Sequence, residues 1–439
     1  MDNDTIFAIA SGAGRAAIAV LRVSGPATRA IVKTIAGILP EQRAVALKTF
    51  RDPATNEAID KGFVIFSPAP KTYTGEDYGE FHIHGGRAVV AAMVKAIGGF
   101  ACTRAAEPGE FTRRALVNGK TDLAAVEGLA DLIDAETEWQ RRAALCQAEG
   151  VLGRQAAIWR GALLEAAALF EAAIDFPEEE GVPGDAGRRA AEILAPVLAE
   201  LKAELAAGRA GERLREGATV VIAGPPNAGK STLLNALARR DVAIVSPFAG
   251  TTRDIIEVHL DLGGCPVTLL DTAGVRESFD AVEKIGIFRT RDKAKAADLV
   301  LWLSEAGAPV PPGVLGGKIW PVFTKSDLLP PSERQNLAAE LYISAESGEN
   351  LDLLLKKMEV FARSVVSDGH AGLIARERHR KAFEAAAQAL ARILDNPDVP
   401  TELLAEDLRV AMVSLQRLTG AVDVEDILGE IFARFCIGK

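Results

Sequence analysis

With 439 residues the chain is longer than a single hydrophobic core usually organises, so two or three domains are expected. Its 49% hydrophobic and 25% charged residues are ordinary for a globular protein, and a formal net charge of −10 excludes bulk attraction to nucleic acid. Four cysteines, at 102, 146, 265 and 436, form no CxxC pair, which argues against a disulfide framework or a structural zinc site and fits a reducing cytosol.

From the N-terminus, the acidic opening Met1-Asp-Asn-Asp-Thr5 is unlike a basic signal peptide. No apolar run approaches the roughly 20 residues that cross a bilayer, so a cytoplasmic location with no membrane partner is expected. Residues 1–120 read as mixed α and β, with strands at Ile18–Val23 and Gly62–Phe66 and turns at Ser24-Gly-Pro26 and Thr74-Gly75. Residues 121–216 turn helical, with Leu123, Val126, Leu129 and Ile133 at helical spacing and a loop at Phe176–Gly184. Residues 217–365 alternate short apolar strands with amphipathic stretches, the pattern of a doubly wound α/β domain with a parallel-type sheet. Its strands are expected at Ala218–Ala223, Val267–Asp271, Asp298–Leu303, Lys318–Phe323 and Leu341–Ser344. Helical runs return at 376–394, 401–418 and 422–435. The chain is therefore read as multidomain α/β: an N-terminal α+β domain (1–120), a discontinuous helical domain (121–216 and 366–439) and an inserted P-loop domain (217–365).

Gly224-Pro-Pro-Asn-Ala-Gly-Lys-Ser231 follows an apolar strand and precedes a helical run, the setting a phosphate-binding loop requires. Its glycines let backbone N–H groups turn toward phosphates at a positive helix end. Asn227, Ala228, Gly229, Lys230, Ser231 and Thr232 are the expected phosphate contacts, with Lys230 on the β- and γ-phosphates and Ser231 on Mg²⁺. A chance glycine turn in this setting is improbable.

Further motifs narrow the nucleotide to GTP. Asp271-Thr272-Ala273-Gly274 ends a strand and places a carboxylate near Mg²⁺. In Thr324-Lys325-Ser-Asp327, the carboxylate of Asp327 matches guanine N1–H and N2–H, and Thr324 stands where asparagine is usual. Ser344-Ala345 suits a backbone contact to the guanine carbonyl. Gly250-Thr251-Thr252-Arg-Asp254 sits where a switch supplies a threonine, here Thr252, to Mg²⁺. Val275 occupies the place of the glutamine that orients water in Ras-like enzymes. Of the charged residues nearby, Glu283 opens an amphipathic helix and is the expected general base or water-orienting group. No arginine is positioned as a finger, so Asn227 is expected to help hold a monovalent cation between the phosphates and Ser246–Thr251.

Other stretches carry a resemblance to a known family. They are Asp4–Ala10, Arg22–Pro26, Thr72–Asp77, Glu80–Gly86, Glu107–Arg113, Asn118–Leu123, Ala130–Ala135 and Cys436-Ile-Gly-Lys439. Together with the GTPase motifs, they make the chain resemble, end to end, the tRNA-modification GTPases of the MnmE (TrmE) family. The resemblance implies a folate-binding N-terminal domain that dimerises the chain, and K⁺-dependent pairing of GTPase domains that activates hydrolysis. It assigns Glu283 as the catalytic glutamate and places Asn227, Ser246, Phe248 and Thr251 around K⁺. It further implies a complex of heterotetramer type with an FAD- and NADH-using partner, MnmG (GidA). That pair installs an aminomethyl or carboxymethylaminomethyl group at C5 of the wobble uridine of tRNA. The one-carbon unit would come from a tetrahydrofolate derivative of 5,10-methylene or 5-formyl type.

Within that frame Arg22, Glu80, Lys120 and Lys439 are expected at the folate site, with Arg15 a further candidate. Cys436, as a lone cysteine, reads first as a small buried hydrophobe, and the resemblance moves it toward a thiol lining that site. His82 and His84 share one strand face without an evident third metal ligand, so a structural or folate-lining role is expected. The clusters Arg113-Arg114 and Arg376–Lys381 are solvated helix faces by default and tRNA-phosphate contacts by alternative. A ribosome-assembly or regulatory GTPase shares every GTPase motif, and a one-carbon transfer enzyme with a non-RNA acceptor shares the rest. Both readings stay open on residues alone.

Overall fold

The computed structural model describes residues 4–12, 14–175, 186–207, 210–225, 227–244, 257–271, 297–305, 318–330, 341–366, 372–396, 399–421, 431–432, 435 and 438. The chain divides into two compact units. One comprises 1–130 with 152–156 and 416–439, and the other comprises 131–151 with 157–415.

The first unit is built on a six-stranded sheet of β1 (Thr5–Ile9), β2 (Ala16–Ser24), β3 (Val45–Arg51), β4 (Ala58–Ser67), β5 (Tyr78–Gly85) and β6 (Thr103–Ala105). The order is β3-β4-β5-β2-β1-β6, antiparallel except where β1 runs beside β6. Residues of β5 alternate between faces, as the two-residue period of a strand requires. Phe81 and Ile83 face the core with Leu21, Val23, Phe50 and the helices Thr28–Ala36 and Arg87–Gly98. Phe50 meets Phe81 edge-on at 5.4 Å. Gly62 is needed there, because a Cβ would lie 2.0 Å from the His82 carbonyl oxygen. Tyr78, Glu80 and His82 point to the other face.

At one end of this sheet an ion-pair cluster joins distant parts of the chain. The carboxylate of Glu110, 2% exposed, accepts from Arg104 Nη1 at 2.8 Å and Nη2 at 2.6 Å and from Arg114 Nη2 at 3.2 Å. It also accepts from the backbone N–H of Glu107 at 2.8 Å. Asp4 receives Arg104 Nε at 2.5 Å and Arg114 Nη2 at 2.7 Å, and Arg114 Nη1 reaches Glu76 at 3.2 Å. Arg114, read as half of a surface basic pair, is thus a structural cation with a side chain 12% exposed.

In the second unit the long helices Val151–Asp175, Ala186–Ala206, Glu377–Asp395 and Thr401–Thr419 supply the helical part. Trp159 is its anchor: the ring stacks edge-on against Phe383 at 5.3 Å, and Nε1–H donates to Glu200 Oε2 at 2.7 Å. Truncating so large a buried ring costs about 3–5 kcal/mol.

The GTPase part is a sheet of β7 (Ala218–Ala223), β8 (Glu257–Leu262), β9 (Cys265–Asp271), β10 (Leu299–Ser304), β11 (Lys318–Phe323) and β12 (Leu341–Tyr342). The order is β12-β11-β10-β7-β9-β8. All pairs are parallel except β8 with β9. Strands β7, β9 and β10 are buried along nearly their whole length, which is why they read as unbroken apolar runs. The antiparallel edge strand β8, with His259 and Asp261, escaped the sequence reading, and β12 is shorter than expected. The loop expected at 176–184 and most of the run 422–435 lie outside the described residues.

The ion-pair cluster makes stability depend on pH. Burial pushes the Glu110 and Asp4 carboxyls up, but the hydrogen bonds from Arg104 and Arg114 outweigh it and hold both below their ordinary values. Folded-state values below the unfolded ones mean that the unfolded chain takes up protons first as pH falls. The contribution is therefore complete at neutral pH and is lost progressively below the ordinary values of 4.5 and 3.8. Glu110→Gln is expected to lower the urea midpoint at pH 7 and to converge with the parent chain as pH drops below about 4.5. Parallel curves for the two chains across that range would contradict this account.

Candidate functional site

The phosphate-binding loop leaves β7 at Gly224, whose φ of +147° and approach to β10 admit no side chain: a Cβ would lie 2.2 Å from the Leu303 carbonyl oxygen. Asn227 and Gly229 also have positive φ, 64° and 88°, and turn the chain into the helix Lys230–Ala238. Lys230 Nζ donates to the carbonyls of Gly224 at 2.9 Å and Pro225 at 2.8 Å, so its ammonium lies over the loop. Ser231 Oγ donates to Asp271 Oδ2 at 3.1 Å. A hydroxyl and a carboxylate side by side form the hard oxygen donor set that suits Mg²⁺. Thr232, next on the helix, is exposed.

The guanine motif follows β11. Thr324 is 7% exposed, and its Oγ1–H donates to the Ala228 carbonyl at 2.9 Å, tying this motif to the phosphate loop. The threonine that departs from the usual asparagine thus makes a direct link between the two halves of the site. Lys325 holds a φ of +60° and pairs with Glu305. Asp327 stands in the short 3₁₀ turn Ser326–Leu328. Just beyond β12, Ile343 accepts from Ser326 N–H at 3.2 Å, which brings Ser344 and Ala345 beside that turn. Glu349, which sequence reasoning missed, accepts from Ser326 Oγ at 2.5 Å and, through its carbonyl, from Ser344 N–H at 3.1 Å. Its signal was only a charged residue five positions past the motif.

The structure brings together Asn227, Ala228, Gly229, Lys230, Ser231, Asp271, Thr324, Lys325, Asp327, Ser344 and Ala345 at the carboxyl ends of β7, β9, β10, β11 and β12. That edge is where ligands bind in open α/β sheets. Ser246, Phe248, Thr251, Thr252, Thr272, Ala273, Gly274 and Glu283 lie outside the described residues.

On the outer face of the N-terminal sheet, register explains a second cluster. Arg22 of β2 lies opposite Glu80 of β5, and Arg22 Nε donates to Glu80 Oε1 at 3.1 Å. Tyr78 OH donates to the same oxygen at 3.1 Å, and His82 Nε2 lies 3.2 Å from Glu80 Oε2. Arg22 Nη1 also donates to the Gly438 carbonyl at 3.2 Å, and Gly438 packs on Ile9 and Ala10. The C-terminal tail therefore reaches Arg22, while Cys436 and Lys439 fall outside the described residues. Burial pushes the Tyr78 and Tyr73 phenols up, so both remain neutral donors; Tyr73 OH lies 2.8 Å from Thr112 Oγ1. Neither tyrosine was singled out from sequence. Lys120 stands apart from Arg22 and Glu80, its stem against Gly75. His84 turns to a different carboxylate, with Nδ1 at 2.8 Å from Asp60 Oδ1, so the two histidines do not converge.

The basic run 376–381 is matched by acids: Arg376 pairs with Asp131, Arg380 with Glu212 and Glu384, and Lys381 with Glu377. No helix among the described residues is long and apolar enough to cross a membrane.

Known proteins resemble this chain over its full length. The family described as the GTP-binding protein TrmE N-terminus matches residues 5–120, and the MnmE helical domain family matches residues 123–436. A tRNA modification GTPase MnmE from Beijerinckia indica is 59% identical, over 99% of this chain and 96% of its own. One from a Bradyrhizobium species is 51% identical over 100% and 99%. Among solved structures, the G domain of the T. maritima FeoB iron transporter is 26% identical, covering 33% of this chain and 98% of its own, with a TM-score of 0.24. Both family matches and both full-length likenesses lead to one conclusion: the chain belongs to the MnmE (TrmE) family of tRNA modification GTPases.

Proposed function

We propose that the chain hydrolyses GTP at the carboxyl edge of its second sheet and uses that cycle to modify the wobble uridine of tRNA. The observation that carries this reading is the link from Thr324 Oγ1 to the Ala228 carbonyl, beside the Ser231–Asp271 pair. It joins a guanine-reading motif to a phosphate-binding loop in one rigid frame. The phosphates lie over Asn227–Thr232, with Thr251, Asp271 and Thr272–Gly274 around the γ-phosphate. The guanine lies on Lys325 and against Asp327, Ser344 and Ala345. Mg²⁺ is held by Ser231 and Thr252, and K⁺ by Asn227, Ser246, Phe248 and Thr251; both supply positive charge where the phosphates develop negative charge. Glu283 orients the attacking water, its carboxylate taking a hydrogen bond from the water as the bond between the γ-phosphorus and the bridging oxygen breaks.

The tRNA chemistry needs more than this site. The chain acts as a cytoplasmic homodimer with the FAD- and NADH-using partner MnmG (GidA) in a heterotetramer-type complex. A tetrahydrofolate derivative supplies the one-carbon unit and binds at the outer face of the N-terminal sheet, near Arg22, Glu80 and the tail with Cys436 and Lys439. Support comes from the Arg22–Glu80–Tyr78 cluster, whose carboxylate and neutral phenol suit a ring with paired N–H and N sites. Lys120 is a more distant contact from the same domain. The domain limits are 1–120, 121–216 with 366–439, and 217–365.

Three measurements test the reading. Glu283→Ala is expected to lower GTP turnover by about 10²–10⁴-fold while GTP binding persists; retained turnover would place the water-orienting group elsewhere. The parent chain is expected to turn over faster in K⁺ than in Na⁺, and equal rates would remove the cation from the mechanism. Thr324→Val leaves the Ala228 carbonyl without its donor, so guanine-nucleotide affinity should fall by roughly tenfold, the equivalent of a lost buried hydrogen bond. Unchanged affinity would mean that the link is ornamental. For the tRNA role, nucleosides from cells lacking the chain should lose aminomethyl-type uridines, regained with the parent chain but not with Glu283→Ala. Unaltered nucleosides would leave a GTPase with another target.

A further inference from the structure

Away from the nucleotide, a cavity of about 200 Å³ opens within the second unit between the helices Leu123–Asp134, Glu138–Ala148 and Ala210–Glu216. Its polar wall consists of Asp131, Asp134, Gln140, Gln147, Arg215 and Glu216, and alanines line the rest. Gln147 is 6% exposed, its Nε2 donates to the Leu373 carbonyl at 3.2 Å, and its Oε1 is buried without a hydrogen-bond partner. Burying an amide oxygen with no donor is unfavourable, so this atom calls for an N–H or O–H from an occupant.

The neighbours cannot supply it. Gln140 Nε2 is committed to the Arg215 carbonyl at 3.0 Å, while its Oε1 accepts from Thr137 N–H and Glu136 N–H. Arg215 pairs through Nε with Asp131 at 3.1 Å and through Nη1 with Glu216 at 3.3 Å. Arg376, from outside the wall, also faces Asp131 at 2.7 Å. The three carboxylates of Asp131, Asp134 and Glu216 thus meet two guanidiniums, leaving a net negative wall with an unused acceptor. Water can satisfy Gln147 but not the charge. A space of this size exceeds the roughly 150 Å³ cavity that admits benzene, so it holds a ligand of about six to eight heavy atoms.

We propose that this cavity binds a short organic cation, an alkylammonium or alkyldiammonium, with an N–H on Gln147 Oε1 and its charge among Asp131, Asp134 and Glu216. Its walls are also the two routes from helical to GTPase part. The helix Ala210–Glu216 leads through Gly217 into β7, and the N–H of Trp139 donates to the Gly264 carbonyl in the β8–β9 turn.

Calorimetric titration of the full chain with 1,4-diaminobutane at constant ionic strength tests the proposal. Expected is saturable one-to-one binding, weakened about tenfold or more by Asp134→Asn, an exposed position where the change spares packing, and likewise by Gln147→Leu if that variant folds. The neutral analogue 1-butanol should not bind measurably. Absence of saturable binding, equal binding of 1-butanol, or unchanged affinity in Asp134→Asn would each overturn it, the last because the diamine would then be sampling the general negative charge of the chain.

Discussion

A phosphate loop can cradle an anion only if its backbone is held open and aimed, and here that constraint is met from β10 and β11 rather than from within the loop. The Leu303 carbonyl presses against Gly224 so closely that only glycine fits, which fixes where the chain leaves β7. Ser304 accepts the N–H of Thr324 at 2.9 Å, and Thr324 in turn hands its hydroxyl to Ala228. Loop, central strand and guanine motif are one hydrogen-bonded body. A nucleotide that engages its base at Asp327 and its phosphates at Lys230 is therefore read by parts whose separation the sheet sets, which is what gives guanine discrimination its leverage over hydrolysis.

This also settles how a threonine can stand where asparagine is usual. An asparagine offers two donors and an acceptor, but the position needs one donor aimed at one carbonyl. Thr324 has a single hydroxyl and a β-branched, stiff χ1, and with 7% exposure it has little freedom to lose. What the shorter side chain gives up in reach it recovers in rigidity.

Much of this was legible from the residues because the parts that bear it obey strong local rules. β7 and β11 begin and end where their apolar runs do, since central parallel strands are buried on both faces and tolerate few polar residues. β8 was not legible: an antiparallel edge strand needs only one buried face, and His259 and Asp261 made Glu257–Leu262 look like a connection. Arg22 and Glu80 were singled out separately, but their pairing is a product of β2–β5 register, which one sequence does not reveal. The burial of Arg114 was hidden for a similar reason. Its partners Asp4, Glu76 and Glu110 lie on three separate segments, and only the closed fold turns an apparent surface pair into an internal cation.

The same accounting bears on how an acidic protein handles an acidic substrate. Along 376–381 the cations already have carboxylates, so a tRNA phosphate arriving at Arg380 would have to displace Glu212 or Glu384 before gaining a contact. Exposed pairs of this kind are individually weak and exchange readily in salt. A phosphate can compete for them, yet each exchange returns only the difference between two modest attractions. With the whole chain at −10, affinity for RNA assembled from such exchanges stays low. That favours an arrangement in which a second protein presents the tRNA and this chain contributes the nucleotide-driven motion, consistent with a site whose rigid frame is devoted to guanine and phosphate.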